Sequence, residues 1–508
     1  MTTAITSFFN YTRKFFSLDL RALGLMRMGI ALIIIVDLII RSRSLVAFYT
    51  DEGVLPLSVL YKSNWSPSYF SVYVMSTGWK LIAVLFIINF LFALALFFGY
   101  KTRLVTFLCW IFLISIHNRN PLILQGGDEL LRLILFWGIF LPWGRKYSID
   151  SITNQSSERS YFGIAVIGYL FLLFSVYFFS ALLKTSSEWR GEGTALYYAL
   201  NIDQMAWPLG KWLLNFPRFL KLLTLSTFYI ELLAPFLLFI PIKNSWFRFV
   251  FILIIGVLHL SISLTLYVGL FYLIGLISLL GLFPGRIMDY IDHKFRYIKS
   301  FFYQFFKKIS NFTNYSNFTE SNRTGKLNDF FNYQIKLLKH GFLFFVICFN
   351  LLWCVGNTNQ FPVKVSERFH WFAYTFRFDQ DWGMFAPSVL KDDGWYIYEA
   401  QLESKSLEEN SLKFIDLNRN GKYVDYNKPA DIIGLYEDDR WRKFGEIWAY
   451  QPDNVKKELC RYLKNKWNSE HPEKRISTLK ILFMKEVTQP EYKISVPERN
   501  ILCDCEKW

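Results

Sequence analysis

The sequence predicts an all-α polytopic membrane bundle, about eight helices plus a ninth C-terminal span, carrying a small α+β or mostly β extramembrane C-terminal domain. Of the 508 residues, 53% are hydrophobic and 19% aromatic, with 52 Phe, a balance far from that of soluble domains. The apolar residues fall in long runs, and a spanning helix needs roughly 17 to 25 of them. Beyond about residue 361 those runs give way to short alternating segments that read as strands. A disordered, collagen-like or disulfide-scaffold chain is excluded.

The candidate spans, in order, are Leu20 to Ile40, Thr77 to Tyr100, Leu104 to His117, Asp128 to Trp143, Tyr161 to Leu183, Leu222 to Ile240, and Phe247 to Leu282. The third and fourth are short, and the last is long enough for two helices joined near Leu264 to Gly269. Together they define a membrane domain over residues 18–285. Residues 286–340 form a basic linker with an amphipathic-looking stretch, Lys294 to Lys308, of the kind that lies in a membrane interface. Residues 341–357 read as the further span, and 358–508 as the extramembrane domain. In that domain Trp395 to Leu402 and Ser411 to Leu417 alternate like strands, Asn420-Gly421 marks a turn, and a helix is expected near Asn454 to Lys466.

The formal net charge of +15 is unevenly placed. Residues 1–285 hold 22 Lys and Arg against 12 Asp and Glu, residues 286–340 hold 10 against 4, and residues 341–508 hold 24 against 25. The excess therefore belongs to the membrane half and the linker, where it implies contact with membrane lipids and no nucleic-acid partner. Loops on one side carry about twice the basic residues of the other. By the positive-inside rule, the N-terminus and linker are cytoplasmic and the C-terminal domain lies on the periplasmic or lumenal side. The first 20 residues lack a clean apolar core, so no cleavable signal peptide is expected.

Six cysteines divide evenly between the helices (Cys109, Cys348, Cys354) and the C-terminal domain (Cys460, Cys503, Cys505). In an oxidising compartment Cys460 can pair with either of the last two, and the Cys503-Asp504-Cys505 pair can instead be a redox or metal element.

Ionisable groups within spans are costly, so they pair or work. Arg27 and Asp37 share the first helix but stand ten residues apart, roughly 15 Å along the axis, too far to neutralise each other. Asp128, Glu129 and Arg132 lie in the fourth segment, Glu231 in the sixth and His259 in the seventh. Interhelical pairs such as Arg27 or Arg132 with Glu231 or Asp37 would fix packing. Lys184 closes the apolar run YLFLLFSVYFFSALLK and opens the polar loop TSSEWRGEGTALYYALN. It can snorkel from the helix end, or its desolvated amine can serve as a neutral base or nucleophile. His259 is either a hydrogen-bonded packing residue or a catalyst. The other histidines show no ligand spacing, so no metal is expected, and no phosphate loop, dinucleotide fingerprint or nucleophile elbow is present.

The segment ALGLMRMGIALIIIVDLIIRSRSLVAFYTDEGVLP, with LFFGYKTRLV, HNRNP and GGDELLR, resembles the HTTM domain, the membrane domain shared by vitamin K-dependent γ-carboxylase and many bacterial proteins. The likeness covers about residues 18 to 285. SALLKTSSEWRGEGTALYYAL resembles the carboxylase stretch in which a lysine precedes a tryptophan by five residues, here Lys184 and Trp189, with Gly193 soon after. The resemblance implies a quinol-deprotonating base at Lys184. It also places His259, Gly269 and Phe271 where the family carries a histidine and a Gly-aromatic. Asn120 stands where the animal enzyme has a second functional histidine. The block RFDQDWGMFAP, with DDGWYIYEAQL and DDRWRKFGE, resembles extensions of bacterial members and not the lumenal region of the animal enzyme, which leaves protein carboxylation unsupported.

The resemblance thus implies a membrane enzyme acting on a hydrophobic small molecule or polypeptide, with a reduced, vitamin K-like quinone as cofactor. Lys184, His259 and Asn120 would be catalytic, and Arg27, Asp37, Asp128, Arg132 and Glu231 would form the supporting polar bundle. The alternative is a non-catalytic membrane anchor, or a maturation or export factor acting through its C-terminal domain, in which Trp382, Phe385, Trp395 and Trp441 form a binding face or an ordinary core. A transporter fits less well, since no inverted repeat is visible.

Overall fold

The computed structural model describes residues 15–153, 157–297, 326–403, 414–490 and 493–506, with a few positions within 304–308. The helical half contains α1 (Leu20–Arg43), α2 (Trp79–Phe98), α3 (Thr102–Arg119), α4 (Gly126–Phe140), α5 (Ile164–Leu183), α6 (Pro217–Leu233), α7 (Asn244–Thr265), α8 (Phe271–Leu280), α9 (Gly285–Lys294) and α10 (Lys326–Asn357). Among the described residues, six of these are long and apolar enough to cross a membrane: α1, α2, α5, α6 with its 3-10 extension to Phe239, α7 and α10. A seventh is reached if α8 and α9, bent by 99° at their junction, count as one. The protein therefore has the helices of a multi-pass membrane protein. Apolar side chains left exposed on α2, such as Val84, Ile87 and Leu91, suit contact with lipid tails, where a helix satisfies its own backbone.

The expectation of eight helices plus a ninth is not met by that standard. α3 has 18 residues and ends in His117, Asn118 and Arg119. α4 has 15 residues, about 22 Å at the helical rise and shorter than a hydrocarbon core. Asp128 and Glu129 are not mid-membrane charges, because they occupy the first turn of α4, where Gln125 and Asp128 form a reciprocal capping box. The break between α7 and α8 falls where the sequence places it, with Leu266 bridged to Ala206. Most of the amphipathic stretch Lys294 to Lys308 lies outside the described residues.

Loops gather at two ends. At one, Arg21 pairs with Asp19 and Asp289 at 2.7 Å, and Asp150 accepts from the backbone N–H groups of Lys101 and Thr102. At the other, loops after α1 and α5 meet the C-terminal domain: Trp441 Nε1 donates to Ser44 Oγ at 2.8 Å, Arg461 to the Asp51 carbonyl at 2.8 Å, and Tyr197 to the Gln489 carbonyl at 2.9 Å. These are the two loop sets between which the basic residues divide unequally.

The C-terminal domain is α+β. Strands β1 (Asp392–Leu402), β2 (Phe414–Asp416), β3 (Lys422–Tyr423), β4 (Ile476–Gln489), β5 (Lys493–Ile494) and β6 (Glu498–Asp504) form an antiparallel sheet in the order β3-β2-β1-β4-β5, with β6 also paired to β4. The turn before β3 uses Asn420 and Gly421, both left-handed, the conformation that an Asn-Gly pair adopts with least strain. Helices α11 (Asp439–Trp448) and α12 (Asp453–Glu470) belong to the same domain. Tyr396 donates to the Gly445 carbonyl at 2.8 Å, tying α11 to the sheet. Trp382 and Trp395 are fully buried, and Trp441 packs on Phe48 at 4.5 Å between ring centres, so these aromatics serve the core and the contact with the bundle.

Candidate functional site

α5 places Tyr177, Ser180 and Lys184 at spacings of three and four residues, which puts all three on one face of the helix. Lys184 is the C-cap residue of α5. It does not snorkel: its side chain is 3% exposed, and Nζ donates to Glu231 Oε2 and to Ser180 Oγ, each at 2.7 Å. The amine also lies 5.0 Å from the ring centre of Trp189, within cation–π reach. Arg190 donates to the Lys184 carbonyl at 2.7 Å and to the Leu182 carbonyl at 3.0 Å, so a cation satisfies the last carbonyls of α5.

Glu231 reaches this site from α6, where the α-helix gives way to a 3-10 segment over Ala234–Phe239. Pro235 has no N–H to continue the ladder to residue 231, so the helix changes pitch beside the carboxylate. Glu231 and Lys184 thus form a buried, hydrogen-bonded pair across two helices.

Two turns earlier on the same face, the Tyr177 hydroxyl is 2.9 Å from His259 Nε2. His259 is buried, and its Nδ1 has no hydrogen-bond partner among the described residues. Its ring packs on Phe271, 5.4 Å between centres, and on the backbone of Gly275, where a Cβ would come within 2.2 Å of the imidazole. Only glycine leaves room for the ring there. Tyr177 and Lys184 are about 10 Å apart along the helix axis, so His259–Tyr177 and Lys184–Glu231 are two polar stations on one side of α5.

A strap from the C-terminal domain covers this end of α5. Trp189 Nε1 donates to the Phe385 carbonyl at 2.9 Å, Ser186 N–H to the Pro387 carbonyl at 3.2 Å, and Lys391 pairs with buried Glu188 at 2.8 Å. The block RFDQDWGMFAP thus lies beside the lysine loop.

Asn120 is not bonded to either station. Its Nδ2 donates to the Phe48 carbonyl at 3.1 Å, and its Oδ1 accepts from Leu122 N–H at 3.1 Å, capping the 3-10 turn over Pro121–Ile123. The anticipated partners of Arg27 and Arg132 are also corrected. Arg27 donates to the carbonyls of Leu96, Phe97, Trp143 and Tyr147 and holds two loop ends together. Arg132 donates to the carbonyls of Arg377 and Asp379, and its nearest carboxylate oxygen belongs to Asp379, at 3.6 Å.

Asp37 and Asp128 meet in a second buried centre that the sequence leaves unassembled. Arg41, one turn after Asp37, bonds it at 2.6 Å and Asp128 at 2.8 Å. Arg440, the second residue of α11, enters from the C-terminal domain and bonds Asp37 at 2.7 Å and Asp128 at 2.5 Å. Two guanidinium groups and two carboxylates balance, and Tyr49 and the Ile123 carbonyl take remaining donors. His117 lies 3.4 Å from Asp128. This centre fixes the domain on the bundle, since removing any one member would strand a buried charge.

Compared with known protein families, with curated proteins and with solved structures, the chain matches none.

Proposed function

We propose that this protein is an integral membrane enzyme of the HTTM type, in which Lys184 takes a proton from a hydrophobic substrate, a reduced quinone of the vitamin K kind. The observation that carries this reading is the single face of α5 that holds Lys184–Glu231 and Tyr177–His259 in buried surroundings. An amine accepts a proton only in its neutral form, and a dry site favours that form over the ammonium. Glu231 is the carboxylate within hydrogen-bond reach of the amine, and Ser180 fixes the amine's direction. An aromatic diol suits the remaining features: His259 Nδ1 is an unused buried polar atom, and Trp189 and Phe271 supply ring surfaces near the two stations. Asn120 is given no role in this reading, since its Nδ2 donates to the Phe48 carbonyl and its Oδ1 caps the turn at Leu122. On this reading the positive-inside rule assigns the basic loops to the cytoplasmic side and the C-terminal domain to the opposite one.

The test is covalent labelling of Lys184 by a membrane-permeant, amine-selective reagent across pH, with Lys184→Arg as control. The reading requires labelling near neutral pH and protection by a naphthoquinone added in its reduced form. Absence of protection would refute it. That result would favour the second reading, a non-catalytic membrane protein acting through its C-terminal domain, which draws support from the closed charge balance around Arg440.

A further inference from the structure

The end of β6 brings three sulfur atoms together. Cys503 and Cys505 are two residues apart at the end of β6, so their side chains share a face of the sheet. The Cys505 N–H donates to the Leu479 carbonyl at 3.0 Å, extending the pairing with β4 by one residue. Cys460 comes down on the same face from α12, in a buried row with Val455 and Leu459. All three sulfur atoms lie within 4.8 Å of one another. The disulfide joins Cys460 to Cys505. The Cys503 sulfur, outside that bond, stands 3.0 Å from Cys460 Sγ. Cys460 and Cys503 are buried, whereas Cys505 is half-buried.

We propose that these three cysteines form a thiol–disulfide exchange site whose entry thiol is Cys505. The Cys503 thiol loses its proton, and its thiolate attacks Cys460 Sγ. A Cys460–Cys503 bond forms as the Cys460–Cys505 bond breaks, and Cys505 leaves as a thiolate that can take up a proton. One disulfide is present before and after, so the step needs no outside oxidant or reductant. The structure favours it on two counts. The attacking and central sulfurs are already in contact, and the two alternative partners of Cys460 project from one short strand, so little backbone movement separates the two pairings. The product differs from the starting state in which thiol faces outward. Buried Cys503 is sheltered from reagents, while Cys505 is accessible enough to attack the disulfide of an external compound, forming a mixed disulfide and expelling that compound's thiolate. The substrate class is therefore a small or polypeptide disulfide, acted on without net oxidation.

The experiment uses the full-length protein in detergent with 4,4′-dithiodipyridine as the external disulfide. Released thiopyridone is followed by absorbance, and labelled and cross-linked cysteines are mapped by peptide mass spectrometry. The label is expected on Cys505, together with a Cys460–Cys503 cross-link. Cys503→Ser should abolish labelling of Cys505 while leaving Cys460–Cys505 intact. Cys505→Ser should yield a Cys460–Cys503 disulfide. The proposal is overturned if the label falls on Cys503, if Cys505 is labelled as fast in Cys503→Ser as in the unaltered protein, or if the cluster stays unlabelled in the folded state. Stoichiometric zinc with no disulfide in the purified protein would also overturn it, since three thiolates would then be metal ligands.

Discussion

Replacing Arg440 with Met tests whether the C-terminal domain is locked to the bundle by charge. In the folded protein this side chain is 7% exposed and bonds Asp37 at 2.7 Å, Asp128 at 2.5 Å and the Ile123 carbonyl at 2.9 Å. Methionine keeps much of the volume and removes the charge, leaving two buried carboxylates with Arg41 alone. Breaking a buried pair in this way costs about 3–5 kcal/mol, because the stranded charge stays desolvated. The double variant Asp37→Asn/Arg440→Met restores neutrality around Arg41 and Asp128, and it should unfold less readily than Arg440→Met, with a coupling energy of about 1–3 kcal/mol. Denaturant unfolding in detergent, followed by the summed fluorescence of the 17 tryptophans, reads both quantities. A loss below about 1 kcal/mol for the single variant, or strict additivity in the double, would refute the reasoning.

Three further predictions concern the same molecule. Glu231→Gln and Lys184→Met should each destabilise the bundle by more than the double variant does, since each alone strands a buried charge; equilibrium unfolding of the three proteins checks this, and equal losses throughout would contradict it. Gly275→Ala should cost about 1–3 kcal/mol by driving a methyl group into the His259 ring, and thermal unfolding should show the loss relieved in a His259→Ala background. In the C-terminal domain, burial pushes the Asp393 carboxyl up to about 7, against about 3.9 in an unfolded chain. The folded state thus holds its proton over a range where the unfolded state has released it, so Asp393 favours folding below about pH 4, and that contribution is lost progressively up to about pH 7. Asp393→Asn should therefore flatten the decline in stability between those values by a few kcal/mol, roughly; unchanged pH dependence would rule this out.

The long helices were legible because lipid contact demands continuous apolar runs, and Leu20–Arg43 and Ile164–Leu183 show them without ambiguity. α4 reads as a short span because its sequence is apolar beyond the first turn, while its 15 residues end short of the hydrocarbon thickness. The cap formed by Asp128 had a visible local signal, an acidic pair opening an apolar run after Gly126 and Gly127. Asn120 had one too, since an Asn before Pro favours a turn in which its side chain accepts a nearby N–H. The pairing of Lys184 with Glu231 was only half legible: both stood out as ionisable groups among apolar ones, but nothing local ties residues 47 positions apart. Arg440 could not be found at all, because it lies in an ordinary charged helix and meets Asp128 across 312 positions of chain. The cysteine cluster was legible in composition, and its two competing pairings follow from the strand spacing of Cys503 and Cys505.

The late position of Arg440 bears on how the protein is made. When the helices through α4 have entered the membrane, Asp37, Arg41 and Asp128 are present with one negative charge in excess, and the compensating guanidinium is still some 300 residues from synthesis. Until it arrives, that centre must stay hydrated, with the helices around it loosely assembled. Chains interrupted before α11 lack the second guanidinium of this centre and should therefore be more open to water and to membrane proteases than the full chain.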